Sequence, residues 1–188
     1  MGRVIVSEFV SLDGVFEDPG GAESYQHGGW TFTFDQGADG AAFKLEELQE
    51  ADALLLVRVT YEGFAVAWPT ITDDAGFAEK MNLMPKYVVS TTLEEATWTN
   101  STIVSGDVPA ELATLREQDH NLLVAGSGTL VATLMEHDLV DEYRLMVFPI
   151  VLGSGKRLFT AGRKQTLSLA ETKPVGSSGV VVLTYRRA

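Results

Sequence analysis

The segment from Asn121 to Leu134 constrains the fold more than any other part of the chain. Leu122 to Ala125 form a short, continuously apolar run, which is typical of a strand buried on both faces. A glycine-rich turn, Gly126 to Gly128, breaks this run, and apolar residues then recur at helical spacing at Leu130, Val131 and Leu134. The segment therefore predicts a strand, a glycine turn and a helix in succession.

Such a turn has a chemical use as well as a structural one. Glycines let the backbone approach a ligand, and the first turn of a helix has unpaired N–H groups and a partial positive charge. A phosphate group fits this environment. The alternative interpretation is that Gly126 and Gly128 only make a tight turn, and a motif this short does not decide between the two.

The rest of the chain repeats the alternation of strand and helix. Further strands are predicted at 4–10, 52–57, 86–90, 102–105 and 140–148. Helices are predicted at 41–50, from Arg58 to Trp68-Pro69, and after the N-cap Asp107 to about Gln118. Two late runs, 165–172 and 179–187, alternate with a period of two and predict an antiparallel hairpin. The fold class is therefore α/β, with a mostly parallel mixed sheet flanked by helices and closed by that hairpin.

Length and composition exclude several classes of protein. The 188 residues, 45% of them hydrophobic, predict one domain over 1–188. A net charge of −12 opposes nucleic-acid binding, and the lack of a membrane-length apolar run or a signal-peptide pattern predicts a cytoplasmic protein without a membrane partner. There are no cysteines, and His27, His120 and His137 lack metal-ligand spacing, so no metal site is expected.

Polar residues follow three of the predicted parallel strands at the points where those strands end. Arg58 and Thr60 follow the second strand, Ser90 and Thr91 the third, and 126–129 the strand of the glycine turn. Because ligands of open α/β sheets lie beyond the carboxyl ends of the strands, these residues are expected to converge. Hydroxyls, a guanidinium group and glycine backbone are typical phosphate ligands, although a single Arg in such a place more often braces the sheet.

The dinucleotide signature differs from the usual one. Val131 occupies the place of the third glycine, and position 146 is Met where an NAD-specific acid is expected. The lack of a carboxylate that would repel a 2′-phosphate favours NADPH over NADH.

A long segment between the first strand and about position 39 predicts a functional lid. It begins with Asp13, which follows the first strand and is the first candidate for substrate orientation or proton delivery; an Asp-Gly turn is the alternative. Trp30 and Phe34 are candidates for packing on a planar substrate, and a satellite hydrophobic cluster under the loop is the other interpretation.

Six motifs occur in one order along nearly the whole chain. They are Ser-Leu-Asp-Gly at 11–14, Arg-Val-Thr-Tyr-Glu at 58–62, Lys-Tyr-Val-Val-Ser-Thr-Thr-Leu at 86–93, Gly-Ser-Gly-Thr-Leu at 126–130, Leu-Val-Asp-Glu-Tyr at 139–143 and Pro-Ile-Val-Leu-Gly-Ser-Gly-Lys-Arg-Leu-Phe at 149–159. With them the chain resembles the dihydrofolate reductase-like family. Within that family it is most similar to the branch named after the C-terminal reductase domain of bacterial riboflavin-biosynthesis deaminase-reductases.

The resemblance implies a three-layer α/β fold, NADPH as hydride donor and a small heteroaromatic, pteridine- or pyrimidine-like substrate. It implies that Arg58 and Thr60 begin the helix beneath the cofactor phosphates, that Ser90 and Thr91 lie near the adenosine ribose phosphate, and that the turn holds the pyrophosphate. The turn residues so assigned are Gly126, Ser127, Gly128 and Thr129. Asp13 is then in the loop over the nicotinamide.

Two departures from the family pattern keep a second function open. Val57 stands where the family usually has glycine before the Arg, and Ser127 separates two glycines that are usually adjacent. A nucleotide-binding module without turnover is therefore the alternative to a reductase, and a scaffold is the third hypothesis. The acidic pair Glu46-Glu47 is interpreted as a solvated face, and the apolar strand at 140–148 with the terminal hairpin predicts a homodimer.

Overall fold

One eight-stranded sheet organises the computed structural model of the protein, which describes residues 1–159 and 164–188. The strands are β1 (Val4–Ser11), β2 (Ala53–Val57), β3 (Lys86–Val89), β4 (Ser101–Val104), β5 (Leu122–Ala125), β6 (Glu142–Phe148), β7 (Leu167–Val175) and β8 (Val180–Arg187). The α-helices are α1 (Gly37–Glu50), α2 (Arg58–Ala67), α3 (Phe77–Leu83), α4 (Val108–Glu117) and α5 (Gly128–Glu136), with 3-10 turns at Trp30–Thr33 and Trp68–Thr70.

The strand order is β4-β3-β2-β5-β1-β6-β8-β7, and neighbouring pairs from β4 to β6 are parallel. β8 runs antiparallel to both of its neighbours, β6 and β7, and β7 and β8 form the terminal hairpin predicted from the period-two alternation. The predicted strands and the helix that begins at Arg58 are confirmed. The predicted N-cap at Asp107 is also confirmed, because its carboxylate accepts a hydrogen bond from the N–H of Ala110 at 3.3 Å. Helix α3 lies between the helix that begins at Arg58 and the strand at 86–90, in a stretch for which no helix was predicted.

The central strand β1 shows how the sheet is covered on both faces. Val4, Val6 and Val10 pack on one face with the apolar sides of α4 and α5, whereas Ile5 packs on the other with Leu48 of α1. A third cluster surrounds Phe148 at the end of β6. The three layers match the dihydrofolate reductase-like fold that the motifs imply.

The long segment after β1 is an organised loop that folds against the loop after β6. The buried Asp18 accepts hydrogen bonds from the N–H groups of Ala22 and Tyr25, and the Tyr25 hydroxyl donates to the carbonyl of Ser154 at 2.6 Å. A backbone bridge between Val15 and Arg157 joins the same two loops. Both loops therefore lie together at the carboxyl edge of the parallel strands.

Candidate functional site

The carboxyl ends of β2, β3 and β4 border a cavity of about 390 Å³. Its wall includes four residues predicted from the strand ends, namely Arg58, Ser90, Thr91 and Thr129. The remaining lining residues are Val57, Val59, Val89, Thr92, Val104, Ser105, Gly106 and Val108. The cavity thus combines one cation and several hydroxyls with a valine-rich apolar wall.

Arg58 reaches this cavity with an exposed guanidinium group. Among the described residues its one ion pair is with Glu62, one helical turn away, at 3.6 Å, and both side chains are about half exposed. Exposed pairs of this kind contribute little to stability, so Glu62 is a weak competitor for the guanidinium. Ser90 is more constrained, because its hydroxyl oxygen accepts hydrogen bonds from the N–H groups of Thr92 and Leu93 and shapes the turn after β3.

Thr60 and Ser127 join the start of α2 to the glycine turn. The Thr60 hydroxyl donates to the carbonyl of Gly126 at 2.8 Å, and the N–H of Val57 donates to the Ser127 hydroxyl oxygen at 3.2 Å. That hydroxyl in turn donates to the carbonyl of Ala125 at 3.1 Å, and Ser127 is only 1% exposed. Ser127 is therefore part of the framework of the turn, and its side chain does not face the cavity.

The backbone of the glycine turn requires small residues at two positions. Gly126 has φ +66°, a left-handed conformation that disfavours a side chain. At Gly128 an added Cβ would lie 2.3 Å from the Phe16 ring, because this ring packs directly on the start of α5. Phe16 therefore lies at the helix end that the family resemblance assigns to the pyrophosphate.

Glu8 is a functional candidate that the sequence did not reveal. It lies in β1, is 6% exposed, and accepts a hydrogen bond from the N–H of Ser127 at 3.3 Å. Burial raises the pKa of Glu8 to about 7, against the opposing effects of the Gly126 and Ser127 amides and of Lys44. The sequence signal for this candidate was a single acid within a mostly apolar strand.

Asp13 is bound to the loop that follows β6. Its carboxylate accepts hydrogen bonds from the Ser11 hydroxyl at 2.7 Å and from the N–H groups of Leu152 and Gly153 at 3.1 and 3.0 Å. These bonds, first among them the one from Ser11, lower the pKa of Asp13 to about 2. The group therefore stays ionised at neutral pH, which favours the orienting role over proton delivery.

Trp30 and Phe34 pack in the hydrophobic cluster around Phe148. Trp30 is 3% exposed, its ring packs edge-on against Phe148 at 5.2 Å, and its indole N–H donates to the carbonyl of Glu17. Phe34 also packs on Phe148. This arrangement favours the satellite-cluster interpretation of the loop over direct contact of Trp30 with a substrate.

A cluster of polar side chains, Ser7, Lys44 and Glu47, lies between α1 and the sheet. Lys44 donates to the Ser7 hydroxyl and to Glu47, and Glu47 is 1% exposed. The interpretation of Glu46-Glu47 as a solvated pair is therefore wrong for Glu47, although Glu46 is exposed. The sequence signal for the burial of Glu47 was its position four residues after Phe43, since residues four apart lie on the same face of a helix.

The fold and the polar strand-end cavity define a protein of the dihydrofolate reductase-like class. The chain belongs to the RibD C-terminal domain family, which matches it over residues 3–181. It is 31% identical over 182 residues to the uncharacterized protein YwjB of Bacillus subtilis, covering 95% of this chain and 94% of that protein.

Two of the solved structures that share the fold match nearly the whole of this chain. One is a Shewanella sp. PV-4 protein whose name refers to riboflavin biosynthesis, with a TM-score of 0.75, 23% identity and 99% of each chain covered. The other is the diaminohydroxyphosphoribosylaminopyrimidine deaminase/5-amino-6-(5-phosphoribosylamino)uracil reductase of Thermotoga maritima, with a TM-score of 0.62 and 16% identity, in which this chain matches 57% of the larger protein.

Two further observations concern residues 1–159 and 164–188. No helix there has both the length and the apolar character needed to cross a bilayer. Within the same residues, no three His, Cys, Asp or Glu side chains are grouped as metal ligands.

Proposed function

We propose that the protein is an NADPH-dependent reductase that transfers a hydride to a small pteridine- or pyrimidine-like substrate. The observation that carries the proposal is the shared cavity of Arg58, Ser90, Thr91 and Thr129 at the carboxyl edge of the sheet. Membership of the RibD C-terminal domain family supports a pyrimidine reductase-like role.

The lining of the cavity fits the adenosine end of NADPH. Arg58 and the hydroxyls of Thr91 and Thr129 are suited to a 2′-phosphate, and no carboxylate is among the described lining residues to repel it. Val57 and Val59 belong to the apolar wall that an adenine ring would contact. Bound NADPH would supply the hydride, and the protein's contribution is to hold and orient it.

Within this proposal the residues of the glycine turn have different roles. Gly126 and Thr129 are exposed and are the members suited to contact phosphate oxygens. The buried Ser127 and the partly buried Thr60 keep the turn in place through their hydrogen bonds. Asp13 holds the two loops together and orients the site above the sheet.

A nucleotide-binding module without turnover is the second candidate. It is favoured by Val57, whose side chain forms part of the cavity wall where the family usually has glycine. The backbone at Val57, with φ −91° and ψ 164°, is extended and accepts any residue, so only the volume of the side chain bears on cofactor binding.

Binding and turnover measured together test the proposal. NADPH and NADH titrations followed by fluorescence are expected to give a dissociation constant at least about ten times lower for NADPH, equivalent to about 1.4 kcal/mol. NADPH oxidation is then assayed with pterin and ribosylaminopyrimidine substrates. Tight binding without turnover of any substrate would favour the nucleotide-binding module. No binding of either dinucleotide would overturn both the reductase and the module.

The proposal includes a homodimer. Val181, Leu183 and Tyr185 alternate along β8 on the face opposite its buried residues, and each is only partly buried. Pairing of this face with a second copy would remove that apolar surface from water. Sedimentation velocity is expected to give the dimer mass for the native chain and the monomer mass for Leu183→Glu; a native monomer at micromolar concentration would contradict it.

A further inference from the structure

Glu8 is a buried acid directly behind the glycine turn, and holding NADPH in the strand-end cavity gives it no role. Its side chain is 6% exposed, although it lies in the central strand β1 next to the proposed cofactor site. It has no ion pair among the described residues. Acids are seldom buried without a cation beside them, so the position of Glu8 calls for an explanation.

Glu8 anchors the residue from which helix α5 starts. Its Oε1 atom accepts a hydrogen bond from the N–H of Ser127 at 3.3 Å, and the N–H of Val57 fixes the other end of Ser127 by donating to its hydroxyl oxygen at 3.2 Å. The carbonyl of Ser127 then accepts from the N–H of Val131 at 2.8 Å. The N–H groups of residues 128–130 precede this bond and have no partner within the helix. Glu8 therefore helps to decide where these anion-binding groups lie.

The surroundings of Glu8 leave its charge without a neutralising partner. In the sheet it lies opposite the uncharged Leu145 of β6, and β5 ends at the uncharged Ala125. The charged side chains that act on it most are Lys44 and Glu47 of α1, which have opposite signs and are bonded to each other at 2.6 Å. Burial raises the pKa of Glu8 to about 7. Both protonation states are therefore populated near neutral pH.

We propose that Glu8 is a positioning residue of the cofactor site and takes up a proton from the solvent when NADPH binds. An ionised carboxylate behind the turn and phosphates held by the turn carry like charges, so each disfavours the other. Protonation forms one O–H bond on the carboxylate and removes this repulsion, while the second oxygen of the neutral group still accepts from the N–H of Ser127. The inference rests on the proposed function, since it requires a dinucleotide at this turn.

Reciprocal linkage between the proton and the cofactor fixes the direction of the pH dependence. Above pH 7 Glu8 of the free protein is mostly ionised, so NADPH affinity falls as pH rises. If the bound form holds the proton about ten times more tightly, binding takes up about half a proton per NADPH at pH 7.5, and the dissociation constant is about five times higher at pH 9 than at pH 7. The 2′-phosphate, with a pKa of about 6, would release protons instead, mainly below pH 7.

The test counts the protons that accompany NADPH binding. Calorimetric titrations at pH 7.5 in two buffers of different ionisation enthalpy give this number, which is expected to be about half a proton for the native chain. Glu8→Gln keeps an oxygen that accepts from Ser127 but cannot titrate, so it should take up no proton and bind NADPH equally well at pH 7 and pH 9. Glu62→Gln, which removes a half-exposed acid beside Arg58, is the control that retains the uptake.

The outcomes separate this inference from the proposed function. Circular dichroism first establishes that each variant is folded; if Glu8→Gln is not, the native chain decides, because uptake at Glu8 should be largest near pH 7.5 and small at pH 9. NADPH binding without proton uptake at pH 7.5, or equal uptake by the native chain and folded Glu8→Gln, would overturn the role of Glu8 and leave the reductase proposal intact. Absence of NADPH binding by the native chain would overturn both.

Discussion

Two buried glutamates on adjacent strands, Glu8 of β1 and Glu142 of β6, have opposite surroundings. Glu142, at the amino-terminal edge of the sheet, receives hydrogen bonds from Arg144 at 2.6 Å and Arg186 at 2.7 Å. Burial alone would raise the pKa of Glu142, but these guanidinium groups lower it below its ordinary value. Glu8, near the carboxyl edge, has no ion pair among the described residues, and its pKa rises.

The difference separates an edge held together by ion pairs from the edge that carries the proposed cofactor site. At the amino-terminal edge Arg116 and Arg187 also pair with Asp141, so acids and bases there neutralise one another. At the carboxyl edge Arg58 is exposed, and Glu8, the buried acid beside the glycine turn, has no ion pair among the described residues. Charges that are already paired stabilise the fold, whereas an exposed cation next to a helix N-terminus is suited to an anionic ligand.

Removal of Glu142 is expected to have the largest effect. In Glu142→Ala the Arg144 side chain, 11% exposed, loses a buried partner, and the free energy of unfolding should fall by about 3–5 kcal/mol. Urea unfolding measures this change, with Glu62→Ala as a half-exposed control at the other edge. A similar small loss in both variants would contradict the distinction between the edges.

Glu8 is expected to make stability depend on pH in the opposite sense to an ion-paired acid. Between its unfolded pKa of 4.5 and its folded pKa of about 7, the native state binds the additional proton. The free energy of unfolding should therefore fall as pH rises through this window, by about 3 kcal/mol in total for this group. Urea titrations of Glu8→Gln should lack this part of the slope; a variant with the native slope would show that Glu8 titrates normally.

A substitution of Arg58 tests the proposed cofactor site directly. Arg58→Ala should raise the NADPH dissociation constant by a factor of about ten or more, from about 1.5–3 kcal/mol for a hydrogen bond to a charged group. Stability should change little, because the pair with Glu62 is exposed. Fluorescence titration measures the constant, with Glu62→Gln as the control that retains binding. An unchanged constant would remove Arg58 from the site.

The glycine turn is expected to give the smallest of these effects. Gly126→Ala places a Cβ at φ +66° and 3.1 Å from Thr60 Cγ2, which should cost about 1–2 kcal/mol of stability. Gly63 in α2 is the matched control, because a Cβ there meets no atom within 4 Å, and Gly63→Ala should stabilise by about 0.5–1 kcal/mol. Thermal unfolding of both variants tests this; equal shifts would show that the turn is not constrained.

Local sequence patterns predicted the residues at the strand ends, but they did not predict which side chains are buried. The strand ends that carry Arg58, Ser90 and Thr129 were predicted because parallel strands place their carboxyl ends on one edge. The burial of Ser127 was not, because a serine between two glycines looks identical whether its hydroxyl faces a ligand or the framework. Trp30 likewise occupies the same loop in either interpretation, and only its packing on Phe148 decides.

Local sequence patterns specify the order and type of most elements, the parallel sheet, its antiparallel hairpin and the edge that carries the proposed cofactor site. These follow from hydrophobic periodicity and turn chemistry, which act over a few residues. Tertiary structure alone decided which polar groups are buried, since Glu8 meets Ser127 from 119 positions away and Lys44 meets Ser7 from 37. Burial and pKa depend on neighbours brought together across the chain, and no local pattern specifies them.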